Sequence, residues 1–256
     1  MEFRVLGPLQ AVAHDRALPL GGHRQRLVLA ALLLDPGRPV SADRLIDTVW
    51  GDDPPRTARK TLQAYVSRLR AVLGDGAVEA TPGGYLLQAA PDTVDAGRFE
   101  RLAGEGHRLL ETEPRAAADL LRRALSLWRG PAWGDIGDEP AFRAEAERLG
   151  ELRMAALEDR IAADLEVGRA AAVVGELRGI VDEHPYRERL WALLMLALYR
   201  AGRQAEALRA FQEAARRLGE ELGIEPTQAL RDLEEKILLQ DPSIAGPPEA
   251  ADAEGW

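Results

Sequence analysis

The spacing of apolar residues predicts a small region of mixed strands and helices at the start of the chain. Short apolar runs within residues 3–20, separated by turn-forming residues, predict two or three strands. Apolar residues then recur at helical intervals over 23–34, 42–50 and 56–73. Residues 78–87 contain two apolar segments on either side of a Pro-Gly-Gly turn, which is typical of a hairpin.

The third predicted helix has a narrow apolar stripe and an unusual opposite face. On a helical wheel the stripe consists of Leu62, Val66, Leu69 and Leu73. The opposite face is small along its centre, basic at its edges and free of acidic residues. Its members are Thr57, Lys60, Ala64, Ser67 and Ala71, with Arg56, Gln63 and Arg68 beside them. Such a face fits a major groove, although a solvated helix surface is the alternative interpretation.

From about residue 95 onward the pattern is helical throughout. A helical pair over 95–128 is followed by an irregular stretch of Gly, Pro and Trp over 129–140. Two Gly-Arg pairs, beginning at Gly168 and Gly202, lie 34 residues apart, which is the tetratricopeptide period. The second copy matches the repeat consensus well and the first copy weakly. The matching positions of the second copy are Trp191, Leu194, Ala207, Phe211 and Ala214. Of these, Trp191, Leu194 and Phe211 are interpreted as helix–helix core.

Charge is distributed unevenly along the 256 residues, whose net charge is −9. Residues 1–90 hold 11 basic and nine acidic side chains, whereas residues 91–256 hold 22 and 33. A nucleic-acid site must therefore be local, and residues 54–74, with five basic side chains and no acid, are the best candidate. Residues 241–256 carry four acids and three prolines, which predicts a disordered tail.

Strands, a helix pair, a basic helix and a hairpin together predict a winged helix-turn-helix. The expected fold is therefore mainly α, with a winged helix-turn-helix DNA-binding domain at 1–90, an α+β unit, followed by an all-α tetratricopeptide-like domain at 95–240. With no Cys and no His at ligand spacing, we expect no metal site and no cofactor. No catalytic constellation is visible, and neither a signal peptide nor a membrane-spanning run is indicated, so a cytoplasmic, nucleoid-associated protein is expected.

Several segments are similar to the Streptomyces antibiotic regulatory protein family. They include MEFRVLGPL at 1–9, GHRQRLVLA at 22–30, and TLQAYVSRLR at 61–70 followed by GGY at 83–85. The resemblance covers about residues 1–240. It implies an OmpR-like winged helix joined to a bacterial transcriptional activation domain. It also implies activation of a biosynthetic gene cluster by tandem dimers that bind direct repeats in promoter DNA and recruit RNA polymerase with its principal sigma factor.

Mapped onto this sequence, the resemblance places the recognition helix at 56–73 and the wing at 78–87. The expected DNA-contacting residues lie on that helix, on the wing and at the cap of the second helix. They are Arg56, Thr57, Arg59, Lys60, Gln63, Ser67, Arg68, Ser41, Thr81 and Gly83. Larger relatives add a nucleotide-binding module whose Gly-x-x-x-x-Gly-Lys-Ser/Thr motif does not occur here. The chain is thus expected to be either a small family member or part of a larger one.

Two further questions stay open at the level of sequence. A helical-repeat scaffold or sensor, whose winged domain mediates protein contacts, is the alternative to a transcriptional activator, and an enzyme is the least supported class. The stretch 128–135, with Trp128 and Trp133 beside Gly and Pro, could pack a loop onto the seam between the domains or form a small-molecule pocket. The packing interpretation is favoured.

Overall fold

The computed structural model describes residues 1–247, which fall into two compact units. The first unit contains Met1–Leu102 and Ala124–Arg153. The second unit contains Ala103–Arg123 and the residues from Met154 onward. The chain is mostly helical, with two small sheets near its start, as the sequence predicts.

The first unit begins with an antiparallel sheet followed by the winged-helix elements. The sheet has the order β1 (Glu2–Arg4), β2 (Gln10–Ala13) and β3 (Arg16–Ala17). Three helices and a second antiparallel sheet, in the order β4-β6-β5, complete the winged helix. These elements are α1 (His23–Leu34), β4 (Val40–Ser41), α2 (Ala42–Trp50), α3 (Ala58–Leu73), β5 (Val78–Thr81) and β6 (Gly84–Leu87).

Two details of this region differ from the sequence-based expectation. Helix α3 begins at Ala58 rather than at residue 56, because the Pro54-Pro55 pair is followed by a turn in which the Ala58 amide donates to the Pro55 carbonyl at 2.8 Å. Arg56 and Thr57 therefore lie in the turn before the helix. Strand β4 has only two residues, too few for a periodic pattern, so the sequence did not predict it.

The remaining helices follow one another with short turns, and between Asp95 and Pro247 the structure contains no strand. They are α4 (Asp95–Arg108), α5 (Pro114–Leu125), α6 (Pro140–Glu166), α7 (Ala170–Glu183), α8 (Glu188–Arg200), α9 (Gln204–Arg217) and α10 (Gln228–Leu239). The two repeated glycines, Gly168 and Gly202, have φ angles of +80° and +73°. Each lies in a turn between helices, where the left-handed backbone favours glycine.

Apolar residues of helices α6 to α10 form the core of the second unit. Trp191 and Leu194 on α8 are buried in this core, and Phe211 on α9 packs against it while half-buried. The interpretation of these three residues as helix–helix core is confirmed. Arg160 on α6 is also buried, with ion pairs to Asp164 and Glu176.

The packed region extends past residue 240, where the tail was expected to begin. Residues Pro242–Ile244 form a 3-10 turn, Ile244 is buried, and Arg200 Nε donates to its carbonyl at 3.1 Å. Burial of this one isoleucine against the helical core explains the departure from the prediction. The remainder of the predicted tail, 248–256, lies outside the described residues.

Candidate nucleic-acid interface

Helix α3 lies with its apolar stripe against helices α1 and α2. Leu62, Val66, Leu69 and Leu73 are all buried, Leu62 to 1% exposure, which confirms the predicted stripe. Burial of such side chains contributes roughly 1.5–3 kcal/mol each, so the stripe fixes the rotation of the helix about its axis. The opposite face is therefore held outward, and Lys60, Ala64, Ser67 and Ala71 are all exposed.

Helix α2 is held beside α3 by a cap and an aromatic stack. The Ser41 hydroxyl accepts a hydrogen bond from the Arg44 amide at 3.1 Å, so its predicted role as the helix cap is confirmed. At the other end of α2, Trp50 stacks on Tyr65 of α3, with ring centroids 6.2 Å apart. The aromatic stack joins α2 and α3 on either side of the turn that carries Arg56 and Thr57.

The wing hairpin is fixed to the start of α2. Gly84 pairs with Ser41 across β4 and β6, and the Ala42 amide donates to the Gly83 carbonyl at 2.8 Å. A Cβ at Gly84 would overlap the carbonyl oxygen of Val40, so this close approach requires glycine. Of the two wing residues expected to contact DNA, Gly83 is exposed with φ +89°, whereas the Thr81 hydroxyl is buried without a hydrogen-bond partner in the described chain.

The basic side chains of this region divide into two groups. Arg59 Nη2 lies 2.5 Å from Asp43 Oδ1, and Arg70 Nε donates to the Val78 carbonyl at 2.7 Å. By contrast, Arg56, Lys60 and Arg68 are exposed and have no ion pair or side-chain hydrogen bond within residues 1–247. These three cations have no internal counter-ion and are therefore available for an external anion.

The remaining expected contacts complete this surface. Gln63 and Ser67 are exposed between the unpaired cations, and the Thr57 carbonyl accepts a hydrogen bond from the Thr61 hydroxyl at 3.1 Å. Sequence reasoning missed Asp43, which faces Arg59 from a different helix. The two residues are 16 positions apart, so no helical spacing could reveal the pair.

The Gly/Pro/Trp stretch packs onto the N-terminal segment within the first unit. Trp133 is 2% exposed, and its amide donates to the Val5 carbonyl at 2.6 Å. The Arg129 amide donates to the Leu6 carbonyl at 2.7 Å. Trp133 also lies against Phe142, with ring centroids 5.4 Å apart. These contacts support the packing interpretation over a small-molecule pocket.

Two carboxylates reinforce the same packing. Asp95, which is 1% exposed, accepts hydrogen bonds from the Val5 and Leu6 amides at 2.7 and 3.2 Å, and burial raises the pKa of its carboxyl. Asp135 accepts two hydrogen bonds from Arg26 of α1 at 2.7 and 3.0 Å, and these lower the pKa of the Asp135 carboxyl. The bidentate pair joins α1 to the loop at 129–138.

No group of three or more potential metal-binding side chains comes together within the described chain. Among the histidines, His23 contacts Glu139 at 3.1 Å and His107 contacts Asp159 at 2.7 Å, each with a single carboxylate. Over the same residues, no helix is both long and apolar enough to cross a membrane.

Comparisons with known proteins agree with this architecture. Residues 94–238 match the bacterial transcriptional activator domain, and residues 18–87 match the C-terminal domain of transcriptional regulatory proteins. These two domains define a class of transcriptional regulators with a winged-helix DNA-binding domain and a helical activation domain. The chain belongs to the Streptomyces antibiotic regulatory protein family, whose members are transcriptional regulators and not enzymes.

Individual relatives match over nearly the whole chain. The regulatory protein AfsR of Streptomyces coelicolor is 42% identical over 247 residues, which are 96% of this chain and 25% of AfsR. This chain thus spans about a quarter of the length of AfsR. The regulatory protein DnrI of Streptomyces peucetius is 38% identical, covering 95% of this chain and 94% of DnrI. The structure of Mycobacterium tuberculosis EmbR in complex with a low-affinity phosphopeptide superposes with a TM-score of 0.90 at 38% identity, covering 94% of this chain and 65% of EmbR.

Proposed function

We propose that this protein is a sequence-specific transcriptional activator that binds promoter DNA through α3 and the wing. The observation that carries the proposal is the exposed, acid-free face of α3 with its unpaired cations Lys60 and Arg68, together with unpaired Arg56 in the turn just before the helix. Helix α3 enters the major groove, where Gln63 suits an adenine edge and arginine or lysine suits guanine or phosphate. Its small residues, Ala64, Ser67 and Ala71, allow close approach to the bases.

We propose that all ten expected residues contribute to DNA binding, some by contacting DNA and others by placing the backbone. Arg56, Thr57, Lys60, Gln63, Ser67 and Arg68 form the exposed reading surface, and Gly83 lies at the exposed wing tip. Ser41 and Thr81 act through backbone placement, since the Ser41 hydroxyl caps α2 and the Thr81 hydroxyl is buried. Arg59 contacts a phosphate through the donors that Asp43 leaves unoccupied.

We further propose that two copies bind adjacent direct repeats. The winged region, 1–90, has a net charge of only +2 and one such module offers limited contact area. Side-by-side copies gain affinity through effective concentration rather than through new DNA contacts. The chain from residue 91 onward has a net charge of −11, which disfavours contact with DNA. Its proposed role is to contact proteins, namely the second copy of the chain and RNA polymerase carrying the principal sigma factor.

The functional division we propose is a DNA-binding domain at 1–90 and an activation domain at 95–240. Residues 124–153, which belong to the first compact unit, pack against the DNA-binding domain through the contacts of Trp133 and Asp135. The targets we propose are biosynthetic gene clusters, and the site of action is the nucleoid.

A salt series of DNA-binding measurements tests the proposal. The full chain is titrated with a promoter fragment from the neighbouring gene cluster and with a scrambled duplex of the same length. We expect preferential, cooperative binding to the promoter fragment, with a direct repeat protected in a footprint. If Arg56, Lys60 and Arg68 each neutralise one phosphate, the slope of log affinity against log salt is about −3 per bound copy. Equal weak binding to both duplexes would contradict the proposal and favour the helical-repeat scaffold.

A further inference from the structure

One cation of the candidate interface differs from its neighbours in having an internal counter-ion. Arg59 and Asp43 contact each other through Nη2 and Oδ1 at 2.5 Å. Both side chains are largely solvent-exposed, Arg59 to 70% and Asp43 to 75%. The contact is therefore reachable by DNA, and an exposed pair of this kind contributes little to the stability of the fold.

The positions of the two residues explain why they meet. Asp43 lies in the first turn of α2, where the helix dipole favours an acid. Arg59 lies in the first turn of α3, which contains no acid of its own and where the dipole disfavours a cation. Asp43 supplies, from the neighbouring helix, the negative charge that the start of α3 lacks.

The pair occupies only part of the guanidinium. Arginine has five N–H donors in a planar fork, and Asp43 accepts from Nη2 alone. The donors on Nε and Nη1 stay available while Nη2 donates to Asp43. A side chain placed in this way binds phosphate most strongly when the phosphate lies at a fixed position. A cognate site meets this condition, because base contacts set the register of the protein on the DNA.

We infer that Asp43 is a positioning residue for Arg59 and that it sharpens discrimination between operator and non-operator DNA. On non-specific DNA, where binding is almost wholly electrostatic, the carboxylate offsets the attraction of Arg59 for any phosphate. On the operator, the same carboxylate orients Arg59 toward one phosphate. This inference rests on the proposed function, because it assigns a role within the same DNA-binding site.

The test is the ratio of affinities for the promoter fragment and the scrambled duplex in Asp43→Asn. Asp47→Asn is the matched control, since Asp47 is exposed one turn further along α2 and has no side-chain partner within residues 1–247. Both variants remove one negative charge. We expect the ratio to fall by up to about fivefold in Asp43→Asn, with tighter binding to the scrambled duplex, and to stay unchanged in Asp47→Asn.

The Arg59→Ala background separates pairing from simple charge. In that background, Asp43→Asn is expected to leave the affinity ratio unchanged, because no guanidinium is left to position. Equal ratios for Asp43→Asn and Asp47→Asn would overturn the inference, as would a fall in the ratio that persists without Arg59. Wild-type protein that binds both duplexes equally would instead overturn the proposed function, and the inference with it.

Discussion

Helices α3 and α9 both carry several arginines, but only α9 also carries the acids that pair with its arginines. On α9, Arg216 and Arg217 both contact Glu213, and together they lower the pKa of that carboxyl to about 2. On and just before α3, Arg56, Lys60 and Arg68 have no partner within residues 1–247. The acids of α9 lie three or four residues from its arginines, whereas residues 54–74 contain no acid.

This difference indicates which cations belong to the fold and which are kept for a ligand. Cations that have acids at helical spacing are neutralised by those acids and contribute little to long-range attraction. Cations on an acid-free surface keep their full field and attract polyanions. The same contrast separates the two ends of the chain, since residues 1–90 have a net charge of +2 and residues 91–256 a net charge of −11.

The largest expected effect concerns the scaffold behind α3 rather than α3 itself. Trp133→Ala is expected to destabilise the protein by about 3–5 kcal/mol, because it empties a fully buried site against Phe142. Thermal or urea unfolding measures this change, with Trp133→Phe as the control that keeps an aromatic ring. An alanine variant as stable as the wild type would show that packing of this loop does not stabilise the winged-helix region.

The second expected effect is on DNA affinity. Arg68→Ala is expected to weaken promoter binding by about tenfold or more, since an arginine contact to a guanine or phosphate contributes roughly 1–3 kcal/mol. The matched control is Arg115→Ala in the second unit, where Arg115 is likewise exposed and has no partner in the described chain. Equal losses for the two variants would mean that overall charge, and not the α3 surface, determines the affinity.

A smaller effect is expected from the cap that orients α2. Ser41→Ala removes the oxygen that accepts from the Arg44 amide and is expected to cost about 1 kcal/mol of stability. Ser41→Thr keeps an acceptor and should recover most of the loss. Urea unfolding of the three proteins provides the comparison, and a threonine variant as unstable as the alanine variant would argue against the cap as the cause.

The smallest expected effect is pH-dependent. Hydrogen bonds from Arg26 lower the pKa of Asp135 in the folded protein below its ordinary value of 3.8. Their contribution is therefore present above pH 3.8 and lost as the pH falls through the lower folded value. Because Asp135 is 54% exposed, Asp135→Asn is expected to cost less than about 1 kcal/mol at neutral pH.

Unfolding experiments between pH 7 and pH 3 test that dependence. The stability difference between wild type and Asp135→Asn should stay constant above pH 3.8 and shrink as the pH falls below it, because the Asp135 carboxylate of the unfolded chain is protonated first. Asp138→Asn, three residues along the same loop, is the control, since the Asp138 carboxylate has no partner among residues 1–247. A difference that stays constant over this range would show that Arg26 does not stabilise the fold through the charge of Asp135.

The sequence predicts elements well wherever one face of a helix or strand is buried. The stripe from Leu62 to Leu73 repeats at helical spacing, so both α3 and its outward face could be inferred. The two-residue strand β4 could not, because it is too short for a period to appear and exists only through pairing with β6. The start of α3 at Ala58 reflects a turn after two prolines, where helix boundaries are least certain from a pattern.

Contacts between distant segments are the part that sequence reasoning could not supply. The hydrogen bond from the Trp133 amide to Val5 and the ion pair of Arg59 with Asp43 join residues with no periodic relation. The sequence identifies Arg59 as one cation among five within 54–74, but only the structure separates it from Arg56 and Lys60. Residue type predicts the chemistry of this surface, and tertiary packing decides which side chains are unoccupied.

The most direct test of the account compares two double variants that each remove two positive charges. Arg56→Ala with Lys60→Ala removes unpaired cations beside and on α3, and Arg108→Ala with Arg115→Ala removes exposed, unpaired cations from the second unit. We measure affinity for the promoter fragment over a range of salt concentrations. We predict loss of promoter preference and a salt slope shallower by about two in the first variant only. Unchanged promoter binding in the first variant, or equal losses in both, would contradict the claim that this surface binds DNA.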